Sequence, residues 1–399
     1  MKNILLITNI YPNNDPEYGG TEVCHYFTKE WIEMGYNVRV IHFDSLFPRP
    51  FYWVGKWFNS ALQARTGCVI YTKTPRKPTS YVVDNVPVTF IPLKKLIPHQ
   101  QFSESVMNKA FDYAISSLEK DGFVPDVVAG HFVLPQLQFL HMFKEKYPNA
   151  KTAMILHSAG ESIPSYYKEK GELYMKSIDV WGFRSMAFKN QFEEQYGKKE
   201  HEFLCYSGIP AKYLDCNKKT YTEPVKKFVF VGSLYELKRV EDTVRALNIA
   251  FPEKNFEFHI VGSGAEESNL KNLVSQLGLD KQVTFHGQQK RDNAQKIIEG
   301  CDCFVMVSAH EAFGLVYVES MAKGLVTIAT KGQGIDGVIK HSENGFLCES
   351  HSPEKLAELL KHISSMSNEE LNEMSTKAIA TANELTNRKV AESYINAII

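Results

Sequence analysis

Three loops in the second half of the chain carry the residues best suited to chemistry. In each, a short apolar run ends in polar or glycine-rich sequence and an amphipathic pattern follows. After 228–231 comes GSLYELKR (232–239), where Lys238 could neutralise a phosphate; taken alone, a solvated surface lysine is the plain alternative. After 258–261 comes GSGAE (262–266). Ser263 and Glu266 are spaced for a capping box, and Gly262 and Gly264 would let a ligand approach the backbone. The bare alternative is a helix cap and nothing more. After 303–307 comes SAHEAFG (308–314), followed by a helical pattern that closes at Gly324. Glu311 would project from that loop and Glu319 would lie about a turn and a half into the helix. The backbone N–H groups around Phe313, Gly314 and Leu315 would face the same space and favour an anion. Carboxylates beside an anion site suit a ligand that has hydroxyls to donate and phosphates to be held. As an isolated pair the two glutamates are a weak signal.

These loops need a scaffold that puts strand ends side by side. Apolar β-type runs at 4–8, 38–43, 86–91, 127–129 and 152–156 are separated by helical patterns in the first half. One such pattern is marked by Val23, Phe27, Trp31 and Met34 and is closed by Gly35; another covers 137–147. The rhythm pauses over the polar stretch 206–224 and resumes with strands at 227–231, 257–261, 283–285, 303–307 and 325–329. Apolar strands alternating with amphipathic helices predict parallel sheets covered on both faces. In such sheets ligands bind beyond the C-terminal strand ends. The reading is therefore an α/β chain of two doubly wound domains: 1–205, a linker at 206–224, 225–383, and a terminal helix over 384–399.

At 399 residues the chain is too long for one core, since a domain typically takes roughly 150 residues. Lys and Arg number 45 against 46 Asp and Glu, and the net charge of −1 argues against a nucleic-acid partner. No apolar run approaches the ~18 residues needed to span a bilayer. The seven cysteines form no C-x-x-C pair, so neither a zinc site nor a disulfide framework is expected, and reduced thiols in the cytoplasm are the plain reading. Residues 47–110 break the pattern, with nine Lys and Arg against Asp84 and Glu104, and with six aromatics within 47–58. This aromatic, basic insertion, about 46–110, either packs on the first domain or forms a surface that meets lipid head groups or a lipid-linked substrate.

The stretch 308–345 (SAHEAFGLVYVESMAKGLVTIATKGQGIDGVIKHSENG) closely resembles the donor-binding signature of family 4 retaining glycosyltransferases, within glycosyl transferases group 1. The similarity extends to 228–238, 259–264 and 283–287. In the first half it includes GGTE at 19–22, DVVAGH at 126–131 and His157 at a strand end. The resemblance implies a GT-B fold: two Rossmann-like domains facing across a cleft, with the last helix crossing back to the first. It implies that Glu311 bonds donor-sugar hydroxyls, that Ala312, Phe313, Gly314 and Leu315 contact sugar and diphosphate, and that Glu319 holds the ribose. Lys238 would stabilise the departing diphosphate, with Gly262 and Gly264 in the donor site, Gly20 at the phosphates or acceptor, and His157 near the reacting sugar. Ser233 stands where the family usually has Arg, which removes one cation; Arg239 or helix dipoles are the candidates to compensate. Asp336 stands for a usual Glu, and Ser207-Gly208-Ile209-Pro210 lacks the family's acid near the linker.

The resemblance further implies transfer from a nucleoside diphosphate sugar to a glycan or lipid-linked glycan hydroxyl, with retention and without metal or other cofactor. UDP-hexose or UDP-N-acetylhexosamine is favoured over GDP-mannose. Same-face attack is favoured over double displacement through Glu311. Bacterial surface-polysaccharide assembly, capsule or O-antigen, is the expected setting, in the cytoplasm or peripherally at the inner face of the plasma membrane. Other classes are weighed against this. GQGIDG at 332–337 matches a dinucleotide fingerprint, but Asn344-Gly345 follows too soon for the helix that fingerprint requires. A sugar-nucleotide epimerase on the same fold, or a degenerate sugar-nucleotide-binding subunit, are the remaining alternatives.

Overall fold

The computed structural model describes residues 1–12, 22–50, 52, 77–96, 101–215 and 217–399. They form two units: Met1–Arg184, Phe188–Tyr206 and Asn387–Ile399 in the first, Ser185–Ala187 and Ser207–Thr386 in the second.

The first unit is built on the apolar run NILLIT, which forms β1 (Asn3–Thr8) and is buried after its first residue. A strand buried on both faces needs helices on both, and the alternation of elements supplies them. In chain order these are α1 (His25–Glu33), β2 (Asn37–Leu46), β3 (Thr79–Val83), β4 (Val86–Lys94), α2 (Glu104–Lys120), β5 (Val127–His131), α3 (Gln136–Lys146), β6 (Lys151–Leu156), α4 (Ser162–Tyr167), α5 (Lys170–Met175), β7 (Val180–Phe183), α6 (Met186–Tyr196) and β8 (Glu202–Leu204). The sheet order is β3-β4-β2-β1-β5-β6-β7-β8. Every pairing is parallel except β3 with β4. Strand order reverses between β1 and β5, which puts the ligand crevice at their C-terminal ends.

Two expectations need correction here. Part of the stretch read as an insertion, 79–94, is the edge of this sheet: the expected strand at 86–91 lies within β4, and β3, which was not expected, pairs antiparallel with it. Asp84 and Asn85 turn it back with φ of 46° and 66°, which short polar side chains tolerate best. The aromatic cluster at 51–58 lies outside the described residues apart from Tyr52, whose hydroxyl accepts from Phe47 N–H at 2.9 Å. The second correction concerns 206–224, read as a linker. Ile209 and Tyr221 are buried in the second unit, and Tyr221 bridges Asp302 O (2.7 Å) and Val326 N–H (2.9 Å). Buried Ile209, Tyr213 and Tyr221 make the stretch from Ser207 onward part of that unit's packing despite its polar composition, and Tyr206 stays with the first unit.

The second unit contains β9 (Lys227–Val231), α7 (Val240–Ala250), β10 (Glu257–Val261), α8 (Glu267–Gln276), β11 (Val283–Gly287), α9 (Arg291–Glu299), β12 (Cys303–Val305), α10 (Leu315–Ala322), β13 (Val326–Thr330), β14 (Phe346–Cys348), α11 (Pro353–Ser365) and α12 (Asn368–Asn383). Its sheet runs β11-β10-β9-β12-β13-β14, all parallel, with the reversal between β9 and β12. No helix occurs between β13 and β14, so GQGIDG does not open a dinucleotide-type helix.

The last helix, α13 (Asn387–Ile398), belongs to the first unit. Trp31 of α1 donates its indole N–H to Ala391 O at 3.0 Å, and Tyr394 packs edge-on against Phe27 and Trp31. Trp31 and Tyr394 are both fully buried, which stabilises this docking by about 1.5–3 kcal/mol per side chain. No helix among the described residues is long and apolar enough to cross a membrane.

Candidate donor site and the histidine pair

The reversal between β9 and β12 brings the ends of two loops together. After β9 a short 3-10 turn, Glu236–Lys238, leads into α7 through Arg239, whose φ is +51°. After β12 the loop is tied to that turn by Ala309 N–H to Leu237 O at 2.8 Å. It is tied to the loop after β13 by Gly334 N–H to Glu311 O at 2.9 Å and by Glu311 N–H to Gln333 Oε1 at 3.2 Å. Gly334 is needed for that approach, because a Cβ there would lie 2.3 Å from the Ala312 carbonyl carbon.

Lys238 and Glu311, 73 residues apart, meet across this junction with Nζ 2.6 Å from Oε2. Their side chains are 24% and 14% exposed, so the charges are partly dewatered yet reachable. Beside them Gly314 begins α10 with φ of +81° and no side chain caps the helix. Its first turn therefore offers uncapped N–H groups to an anion. Phe313 turns its side chain into the core, leaving only its backbone to the site.

Glu319 is buried on α10. One carboxylate oxygen is 2.5 Å from Arg291 Nη2, and the other accepts from Gln295 Nε2. A carboxylate has about four acceptor positions, so these partners orient Glu319 without exhausting it. Sequence reasoning missed Arg291 and Gln295; their i, i+4 spacing places both on one face of α9, but nothing local pairs them with a distant glutamate. Glu319→Ala is expected to lower unfolding stability by about 1–3 kcal/mol, because Gln295 is buried and loses its acceptor. Chemical denaturation with an unchanged m-value would check it.

Two readings of the loops change. Ser263 and Glu266 do not form a capping box: α8 has no side-chain cap, and the Ser263 hydroxyl donates to Gln288 Oε1 at 3.3 Å. Backbone packing by itself already requires Gly262 and Gly264, whatever binds beside them, since Cβ atoms there would lie 1.8 Å from Gly232 O and 2.3 Å from Leu234 O. Arg239 does not supply the cation that Ser233 lacks. Its guanidinium is held by Asp242 through Nε (3.0 Å) and Nη2 (2.9 Å) and pairs with Glu241 at 2.7 Å. Asp336 pins its own loop by accepting from Gly332 N–H at 2.6 Å.

His157 sits at the C-terminal end of β6 in the first unit. Its ring stacks on Phe132 at 3.8 Å, and its Nε2 is 3.1 Å from Nδ1 of His131. Burial, then the buried Arg184, then His131 hold His157 well below the usual histidine range, so it is neutral at physiological pH. Gly20 lies outside the described residues. A cavity of about 470 Å³ opens at the C-terminal ends of β1, β2 and β4, with Asn9, Asp44, Lys95, Phe102 and Tyr166 on its wall. Burial pushes the Asp44 carboxyl up to about 7, against a smaller opposing effect of the Ser45 N–H. Lys95 lies 4.6 Å from the centre of the Phe102 ring. Aromatic faces beside hydrogen-bonding groups suit a sugar, and sequence reasoning assigned none of these residues. Among the described residues no group of three or more His, Cys, Asp or Glu is arranged to hold a metal.

Two doubly wound sheets, one with a cation–carboxylate pair and an uncapped helix at its reversal point, define a Rossmann-type protein with an anion-ready site. Comparison with known proteins narrows the class. The family model of glycosyl transferases group 1 matches residues 216–381. The lipopolysaccharide core biosynthesis glycosyltransferase LpsE of Rhizobium meliloti is 33% identical over 252 residues, covering 58% of this chain and 70% of that protein. The chain belongs to the glycosyl transferases group 1 family. N-acetyl-alpha-D-glucosaminyl L-malate synthase of Bacillus anthracis is 35% identical over 134 residues, 33% of this chain; the match spans only about a third (35%) of that relative. The fold is GT-B, shared with the lipopolysaccharide outer core galactosyltransferase WaaB (TM-score 0.67, 16% identity, 99% of this chain and 98% of that one). It is shared too with Anabaena HepE in complex with UDP and glucose (TM-score 0.64, 16% identity, 99% of each chain).

Proposed function

We propose that this protein transfers a glycosyl group from a nucleoside diphosphate sugar to a hydroxyl of a glycan or lipid-linked glycan, with retention and without a metal. The observation that carries the reading is the Lys238–Glu311 pair, 2.6 Å apart beside the uncapped start of α10. In the unliganded protein the two charges cancel. A donor separates them: its diphosphate draws Lys238 and the α10 N–H groups, and Glu311 turns to accept from sugar hydroxyls. As the glycosidic bond breaks, charge builds on the diphosphate where Lys238 and the helix terminus already point. Fixed charges of this kind stabilise the leaving group as a divalent cation otherwise would. Glu319, oriented by Arg291 and Gln295, takes the ribose hydroxyls. With Glu311 engaged by the sugar, same-face attack is favoured over a glycosyl-enzyme intermediate: the acceptor oxygen bonds to the anomeric carbon as the bond to the diphosphate breaks, and the departing diphosphate takes the acceptor's proton.

UDP-hexose or UDP-N-acetylhexosamine is favoured as donor, with GDP-mannose next; the Anabaena relative holding UDP and glucose supports the base. The cavity with Asp44, Lys95, Phe102 and Tyr166 is the acceptor candidate in the first unit. The similarity to LpsE supports an acceptor in surface-polysaccharide assembly, with cytoplasmic action at the inner membrane face. A thermal-shift screen against UDP, GDP and ADP sugars and NAD(P) tests the donor. The expected result is a selective rise in Tm with one nucleotide sugar, following RT ln(1 + [L]/Kd), unchanged by EDTA. A response to NAD(P) alone, or one abolished by EDTA and restored by metal, would overturn the proposal.

A further inference from the structure

We propose that Tyr394 of the last helix is a positioning residue for His157, acting through His131 to hold the His157 proton on Nδ1. Three polar side chains from distant parts of the first unit lie in a row. The Tyr394 hydroxyl is 3.1 Å from His131 Nε2, and His131 Nδ1 is 3.1 Å from His157 Nε2. His131 and Tyr394 are fully buried, and His157 is the member that reaches partly exposed surface.

A neutral imidazole donates from one nitrogen and accepts at the other, so the row can be protonated in two ways. In one, Tyr394 O–H donates to His131 Nε2, His131 Nδ1–H donates to His157 Nε2, and His157 carries its proton on Nδ1. In the other every donor reverses: His157 Nε2–H donates to His131, and His131 Nε2–H donates to the Tyr394 oxygen. The reversed arrangement leaves the phenolic proton in the core without an acceptor, because no other hydrogen-bond partner of the Tyr394 hydroxyl occurs among the described residues. A buried donor left unpaired is costly, so the first arrangement is selected. The hydrogen bond at one ring nitrogen thus sets what the other offers. The second ring nitrogen of His157 becomes an N–H donor, suited to a sugar hydroxyl or a phosphate oxygen and unsuited to taking a proton. Burial and the buried Arg184 oppose protonation of either ring, which keeps the relay neutral. Stacking on Phe132 fixes the plane of the His157 ring, so its remaining freedom is the flip that His131 prevents.

The inference rests on the reading of His157 as a group that touches the transferred sugar, and the test separates the two. Two-bond 1H–15N spectra of the histidine-labelled full chain, with His157→Gln to assign the signals, report the tautomer without any donor. The wild type is expected to show His157 protonated on Nδ1. Tyr394→Phe keeps the ring against Phe27, Trp31 and Phe203 but removes the hydroxyl. In this variant the two His157 nitrogens are expected to become mixed or reversed, and kcat to fall about tenfold or more at unchanged donor KM. Wild-type His157 protonated on Nε2 would overturn the proposal, and that spectrum decides even if Tyr394→Phe does not fold. Unaltered His157 signals in a folded Tyr394→Phe, or altered signals with unaltered kcat, would overturn it as well. Failure of the transferase reading shows elsewhere, as a wild-type chain that transfers from no nucleotide sugar.

Discussion

Lys238→Met is expected to lower kcat by about 10²–10³-fold, the usual loss when one preorganised charge is removed from a site of developing negative charge. The methionine keeps the length of the stem and removes only the cation. Glu311→Gln is expected to cause a loss of similar order, with a rise in donor KM, because the amide keeps the shape but cannot accept as strongly from sugar hydroxyls. The two residues are bonded at 2.6 Å in the unliganded protein, so their effects are not additive. Removing Lys238 leaves the Glu311 carboxylate, 14% exposed, without its cation. The double variant Lys238→Met/Glu311→Gln should therefore be more stable than Lys238→Met alone while no more active. Steady-state kinetics at saturating acceptor, with melting curves on all three variants, would check this. Near-normal turnover of Glu311→Gln would remove that residue from the chemistry under either mechanism.

The second large effect is on folding. Gly262 has φ of +141°, and a Cβ there would lie 1.8 Å from the carbonyl oxygen of Gly232, well inside contact distance. The obstacle is backbone, which cannot rotate away as a side chain can. The same carbonyl strand is held in place by Gly232 N–H to Val261 O and Leu234 N–H to Ser263 O, both at 2.9 Å. Gly262→Ala is thus expected to cost about 3–5 kcal/mol, among the largest losses a single substitution causes, or to prevent accumulation of folded protein. Gly300→Ala is the matched control: its Cβ meets nothing closer than 3.5 Å and its φ is −79°. That change should leave the unfolding midpoint nearly where it is. Equal stability of the two variants would refute the close approach of the β9 and β10 loops.

The strands that carry the second-unit site were legible because they are apolar, short and bounded by glycine. The expected 227–231 and 257–261 coincide with β9 and β10. Strands β3, β7, β8 and β14 were not legible, whereas the 86–91 run did mark β4. β8 and β14 have only three residues each, and the exposed face of β3 gives no apolar run to detect. The charged candidates were legible as residue types at strand ends, which is where parallel sheets bind ligands.

Their partners were not legible, because pairing is decided by which loops the sheet order makes adjacent. By itself the sequence determined the α/β alternation, the placement of Lys238, Glu311, Glu319 and His157 at strand ends or on the helix that follows, and the family resemblance. Tertiary structure alone decided that Lys238 meets Glu311, and that Glu319 is oriented by Arg291 and Gln295. It also decided that Arg239 is spent on Asp242, and that His157 is bonded through His131 to a tyrosine 237 residues further along the chain. The physical reason is the same in each case. Propensity and periodicity act over a few residues, whereas a buried polar group must find its partner wherever the packed sheet brings one within about 3 Å.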